Sequence, residues 1–330
     1  MKINIPIKLA FIGITMITHT TGCIAFTNTL PNAVVSVYVV DNEKIPIKGV
    51  LSDYSSPTDY SSNAGLTDTN GIYSVKLYNI WAYISGSFSK QDYYKTSGQL
   101  WKWSPCDECK NVSRWCDHNP PPPSTPFTII MKRINNPVPM KYKNVQIVFP
   151  RLNEPVGFDF EVGDWVFPDG KGIIADIFIT TEGSYEDKKE FDFKISGKFS
   201  GELNGMQSFE YPHSNRHPSS IPLRSELPPP AVAPLNGYES SFDCFVRNSK
   251  TMKWSYASSF DENRNWIFRV RTELDENGNI VSANYGWMSR DIILSPVAGN
   301  GRLDLRYYYN PNSKSRSLEP KEIADRQNKD

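Results

Sequence analysis

The residues best suited to chemistry fall in a few short clusters. Cys106, Cys109, Cys116 and His118 follow the pattern C-x2-C-x6-C-x-H, three thiols and an imidazole. These groups are zinc ligands, although the step from Cys116 to His118 is tighter than in structural zinc sites. With Cys23 set aside, Cys244 makes the count four, and an even number in an oxidising compartment reads first as disulfides. Four cysteines can pair in three ways, and the spacing does not choose among them. The second cluster is acidic: Asp159, Glu161, Asp164 and Asp169. Carboxylates at this density can hold Ca²⁺ or supply the pair of a glycoside hydrolase. An EF-hand is excluded, because D-x-[DN]-x-[DN]-G with a distal Glu is absent. The plainer expectation puts Phe158, Phe160 and Val162 on the inner face of a strand. Asp159 and Glu161 then point outward, and Asp164 and Asp169 sit in turns beside glycines.

Trp101, Trp103 and Trp115 share the cysteine segment and are the ligand-binding candidates. Exposed indoles stack on the apolar faces of sugars and anchor interfaces. The competing expectation is a minor core that closes one end of a sandwich. His213 and His217 have helical i, i+4 spacing, but Pro212 and Pro218 flank them and argue for loop histidines. No G-x-S-x-G, H-E-x-x-H, phosphate-binding loop or dinucleotide G-x-G-x-x-G occurs. The chain has four histidines, which leaves little for acid–base work near neutral pH. The expectation is no catalytic residue, no cofactor and no enzyme, with a carboxylate-dependent glycan hydrolase as the alternative.

Charge narrows the partners further. The 330 residues include 36 basic and 36 acidic ones, so no electrostatic force draws the chain to nucleic acid or an anionic membrane. Residues 1–25 read as a signal peptide: Lys2 and Lys8 precede the apolar run Leu9–Ile17, which is too short to span a bilayer. Either cleavage follows Ala25, or Thr20-Thr-Gly-Cys23 acts as a lipobox with Cys23 lipidated. The only membrane contact expected is that lipid anchor.

The elements that must position these residues are strands. Pro and Gly together supply 45 residues, beside 17 Tyr and 17 Phe, a mixture that favours strands and tight turns over helices. Ala33–Val40 is a β-branched run suited to a central strand. Asp68-Thr-Asn-Gly71 has turn composition and launches Ile72–Leu77, whose Tyr73, Val75 and Leu77 share one face. Ile134–Met140, with two prolines, reads as a linker. Beyond it, Trp266–Met288 is the clearest hairpin, with Asp275–Asn279 as its turn. Phe268, Val270, Thr272 and Leu274 lie on one face, and Arg269, Arg271 and Glu273 on the other. The segment Tyr211–Pro234, rich in Pro and Ser, reads as a surface loop with room for one or two short embedded strands. Residues 311–330 are polar and charged and read as a flexible tail.

Three segments carry a family resemblance in the first half. Val40–Gly49 resembles the "D-x-x-G-x-P-I-x-G" pattern, Thr67–Tyr73 the "T-D-x-x-G-x-Y" turn, and Lys90–Tyr94 the "K-x-G-Y" corner of carboxypeptidase regulatory-like modules. Asp92 replaces the glycine of that corner. The resemblance implies a transthyretin-like (Ig-like) β-sandwich over residues 33–135, serving as a binding, spacer or scaffold module. The second half, with Pro155–Asp159, Gly163–Val166 and Phe268–Thr272, resembles uncharacterised exported bacterial proteins. That likeness implies export and a β-rich domain over 140–310, without an activity.

The resulting expectation is an all-β protein of two domains, exported to the periplasm, outer membrane or cell surface. It binds or scaffolds, with a glycan or an envelope protein as ligand. Intact-mass analysis of envelope-fractionated protein should show loss of about the first 22–25 residues. Retention of Met1 in a soluble cytoplasmic product would refute the signal.

Overall fold

β-Branched residues open the described part of the chain. A computed structural model describes residues 33–56, 63–78, 83–102, 124–212, 222–250, 256–296 and 299–327. Seven strands build the N-terminal lobe: β1 (Ala33–Val40), β2 (Leu51–Ser55), β3 (Gly65–Leu66), β4 (Ile72–Leu77), β5 (Tyr83–Ser89), β6 (Thr96–Lys102) and β7 (Phe127–Ile130). β1 is central, as its composition predicts, antiparallel to β4 and parallel to β7. It buries Val35, Val37 and Val39 against a second sheet ordered β6-β5-β2-β3. The Asp68–Gly71 turn carries the chain from one sheet to the other. Asp68 Oδ1 accepts the amides of Asn70 and Ile72. Gly71 takes a φ of 74°, and a Cβ there would strike the Val39 carbonyl. At the Lys90–Tyr94 corner Asp92 adopts a φ of 67°, so an aspartate holds the left-handed conformation that glycine favours.

The C-terminal lobe is larger. Its strands are β8 (Lys141–Val148), β9 (Pro155–Asp159), β10 (Asp164–Trp165), β11 (Ile177–Asp187), β12 (Glu190–Phe199), β13 (Gly205–Glu210), β14 (Arg224–Ser225), β15 (Ser241–Asn248), β16 (Ala257–Ser258), β17 (Arg264–Leu274), β18 (Ile280–Met288), β19 (Ile293–Ser295) and β20 (Arg302–Asn310). One sheet runs β10-β9-β11-β12-β15-β16. The other runs β13-β17-β18-β20, with β19 and β8 also paired to β20. Alternation along β12 sends Phe191, Phe193 and Ile195 inward, where they meet Phe268, Leu303 and Tyr307 of the facing sheet. Phe160 stacks on Phe268 with ring centres 4.4 Å apart. The all-β expectation holds, and the β17–β18 hairpin forms where the pattern places it.

Both faces of that hairpin are buried, which alternation alone does not suggest. Phe268 and Val270 enter the sandwich core. Ile267, Ala283, Tyr285 and Trp287 enter a separate cluster with Tyr94 of the N-terminal lobe, Leu227, Leu318 and Ile323. This cluster joins the lobes, and backbone pairing reinforces it: β14 extends the N-terminal sheet by pairing with β6. The Lys132 ammonium donates to the carbonyls of Leu227, Pro228 and Pro229 at 2.8–2.9 Å. Burial pushes that ammonium down to about 8.

Two expectations are corrected here. Residues 311–327 are not a flexible tail. Leu318 and Glu319 are fully buried, and the short helix α1 (Lys321–Gln327) buries Ile323 and Ala324. The connector Ile134–Met140 is fixed to this C-terminal segment. The Glu319 carboxylate accepts the amides of Asn135 and Asn136, and Val138 exchanges backbone hydrogen bonds with Glu319 and Lys321. The Tyr211–Pro234 loop is likewise partly interior, with Leu227 and Ala233 fully buried. Polarity misled the reading of the tail, because its few apolar residues all face the junction. Replacing Glu319 by Ala orphans two backbone amides and should cost about 2–3 kcal/mol in equilibrium unfolding. The 134–140 connector should also become cleavable in limited proteolysis. Unchanged stability and unchanged cleavage would show that the segment only rests on the junction.

Candidate functional site

The acidic cluster is fully described, and its geometry departs from simple alternation. Phe158, Asp159 and Phe160 are all buried. β9 ends at Asp159, and the chain turns at once, with the Gly163 amide donating to the Asp159 carbonyl and Gly163 at a φ of 80°. The Asp159 side chain is therefore not outward. Its Oδ1 accepts the amides of Glu161 and Val162, and its Oδ2 those of Ile173 and Ile174, at 2.9–3.1 Å. Burial opposes ionisation, but the amides of Ile173, Val162 and Ile174 and the Arg271 guanidinium outweigh it. They hold Asp159 below the usual carboxylate range.

Arg271 is the centre of the cluster. Its Nε donates to Asp176 at 2.9 Å, Nη1 to Glu161 at 2.6 Å and Nη2 to Asp159 at 2.8 Å. Its backbone carries a φ of 54° where the β17–β18 register shifts between Val270 and Glu273. This bulge takes Arg271 off the outer face of the hairpin and aims it at β9. Asp176 is pushed up by burial despite Arg271 and the Phe160 amide. Glu161 is held down by its bond to Lys141 and, against some burial, by Arg271. The side chains of Asp159 and Asp176 are 2% and 0% exposed, so no substrate reaches them.

The remaining carboxylates fasten the loop between β10 and β11. Asp164 accepts the amides of Trp165 and Lys171. Asp169 accepts both Nη1 and Nη2 of Arg151, at 3.0 and 2.9 Å. Val166 and Gly172 bridge, with the Phe167 amide donating to the Gly172 carbonyl. A loop of turn residues is thus pinned at both ends and in the middle. It displays Phe167 and Ile173, each 80% exposed, and the half-exposed Ile174. Large apolar side chains exposed in this number on one fixed loop form an apolar patch in solvent. Each of its acids is engaged by backbone amides or by a cationic side chain of the same chain. Among the described residues no group of His, Cys, Asp and Glu is placed to hold a metal.

Other sequence candidates fare unevenly. Trp101 is partly buried and packs against the N-terminal core. Cys23, Trp103, Cys106, Cys109, Trp115, Cys116, His118, His213 and His217 lie outside the described residues. Cys244 faces the sandwich core opposite Ile195 as a free thiol, and burial pushes it up to about 11. Arg271, Asp176, Phe167 and Ile173 escaped sequence reasoning. The bulge that redirects Arg271 has no sequence mark, whereas apolar residues inside Val166-Phe-Pro-Asp-Gly-Lys-Gly-Ile-Ile174 were a legible signal.

Arg271→Met should cost about 3–5 kcal/mol at neutral pH, because it strands two buried carboxylates. In the wild type, Asp159 contributes stability above its unfolded pKa that is lost on acidification, and Asp176 opposes it. Without the guanidinium Asp176, already pushed up by burial, favours the protonated form still more, whereas Asp159 keeps the amides that hold it down. The variant should then regain stability as pH falls from 7 towards about 5, which chemical denaturation at several pH values measures. A variant that only loses stability on acidification contradicts this.

No family model matches the chain, and no curated protein matches it in sequence.

Proposed function

We propose that the protein is a non-catalytic binding or scaffold protein of the bacterial envelope or surface, and that its Phe167–Ile174 loop takes a protein partner. The observation that carries this reading is the pairing of exposure with rigidity: Phe167 and Ile173 stand in solvent on a backbone held by Asp159, Asp164 and Asp169. A loop ordered in advance loses little entropy on binding. Apolar tips favour a protein surface over a glycan, whose hydroxyls would find no hydrogen-bonding group on Phe167, Ile173 or Ile174. The engagement of Asp159, Glu161, Asp164 and Asp169 supports binding over hydrolysis.

The N-terminal lobe supports a scaffold role. A sandwich with regulatory-like motifs, extended by β14 and tied through Lys132, works as a fixed spacer between an anchor near residue 23 and the loop. Among the described residues no helix is long and apolar enough to cross a membrane. Export and the lipid anchor rest on the first 25 residues.

The test is a photo-crosslinking side chain in place of Phe167, in cells separated into envelope and soluble fractions. A discrete adduct to an envelope protein should form and should vanish when Ile173→Asp is added, with the melting temperature unchanged. Adducts no different from those of a probe at exposed Glu276 would remove the loop from consideration.

A further inference from the structure

The outer face of the β9-β11-β12-β15 sheet is not flat. It encloses an open concavity of about 490 Å³, a size that suits small ligands. Alternation explains what lines it: Ile177 and Ile179 point into the core, so Phe178 and Thr180 point out. Phe178 is 45% exposed. Cross-strand register sets Phe178 beside Lys198 and Lys198 beside Ser241, while Thr180 lies beside Ser196 and Ser196 beside Asp243. An aromatic ring therefore stands among hydroxyl, ammonium and carboxylate groups about 5 Å apart from strand to strand.

Asp243 accepts the Ser196 hydroxyl at 2.6 Å and lies 3.5 Å from Lys194. The Lys198 ammonium and the Glu239 carboxylate, both lining the concavity, have no partner among the described residues. A strong donor and a strong acceptor thus face the same space. Lys194 and Lys198 balance Glu239 and Asp243, so a strongly charged chain meets no net attraction.

We propose that this concavity is a binding site for a neutral oligosaccharide. A sugar presents an apolar C–H face to Phe178, and its hydroxyls serve as donors to Glu239 and acceptors from Lys198 at once. A peptide backbone seeks a sheet edge, which a sheet face does not offer. The site is separate from the Phe167 loop and does not depend on that loop having a partner.

The experiment is calorimetric titration of the full chain with cellohexaose, maltohexaose and chitohexaose at millimolar concentration, and with hexagalacturonate as the acidic control. At least one neutral hexasaccharide should bind more tightly than the acidic one. Phe178→Ala should weaken it about tenfold or more, and Lys198→Ala and Glu239→Gln each several-fold. All three residues are outward-facing, so thermal midpoints should be unchanged, and Phe167→Ser should leave saccharide affinity unchanged. Binding of none of the neutral hexasaccharides overturns the proposal. So does preference for hexagalacturonate, binding indifferent to Phe178→Ala, or loss of binding in Phe167→Ser.

Discussion

One guanidinium facing three carboxylates is the interaction on which the C-terminal lobe depends. Arg271 reaches from the β17–β18 sheet to Asp159 at the end of β9 and to Glu161 and Asp176 in the adjoining turns of the opposite layer, and so ties the two layers at one end of the sandwich. Two of those carboxylates are buried, and ionising them away from water is costly unless a cation and hydrogen bonds compensate. Asp159 gains four amides and Asp176 gains the amide of Phe160, so each carboxylate also fixes backbone. The left-handed φ at Arg271 is the local cost of aiming the side chain there. A hydrophobic pair could hold the layers together as well. It could not order the amides of Ile173 and Ile174, and those amides keep the exposed loop in one shape.

Much of the fold was legible because it follows from period and turn chemistry. The β-branched run of β1, the alternation in β12, the Asp68–Gly71 corner and the Asp275–Asn279 hairpin turn each need only local information. What escaped was non-local. Ile267, Ala283, Tyr285 and Trp287 lie on the second face of a hairpin, and nothing near them in sequence says that another lobe covers them. Leu318 and Ile323 are sparse in a polar segment, so composition pointed to a frayed end. Their burial depends on Tyr94 and Leu227, which lie far away along the chain.

The candidate site shows the same division. The density of acids around Asp159 signalled that the segment mattered, but its meaning lay in partners that the segment does not contain: Arg151 and Arg271. The glycines and Pro168 signalled turns, and the apolar residues between them were the part of the loop left for other molecules. An acidic cluster in sequence is ambiguous between catalysis, metal binding and scaffolding until the cations opposite are known. Here they are side chains of the same chain.

The junction also has a temporal side. Residues 317–327 follow, in order of synthesis, every strand that they cover. Until they emerge, Tyr285 and Trp287 have only a partial lid, and the connector amides at 135 and 136 wait for Glu319. Chains made or translocated from the N-terminus can form domains as they appear, but the union of these lobes is necessarily a late event. In the interval an aromatic sheet face stands open that the finished fold closes.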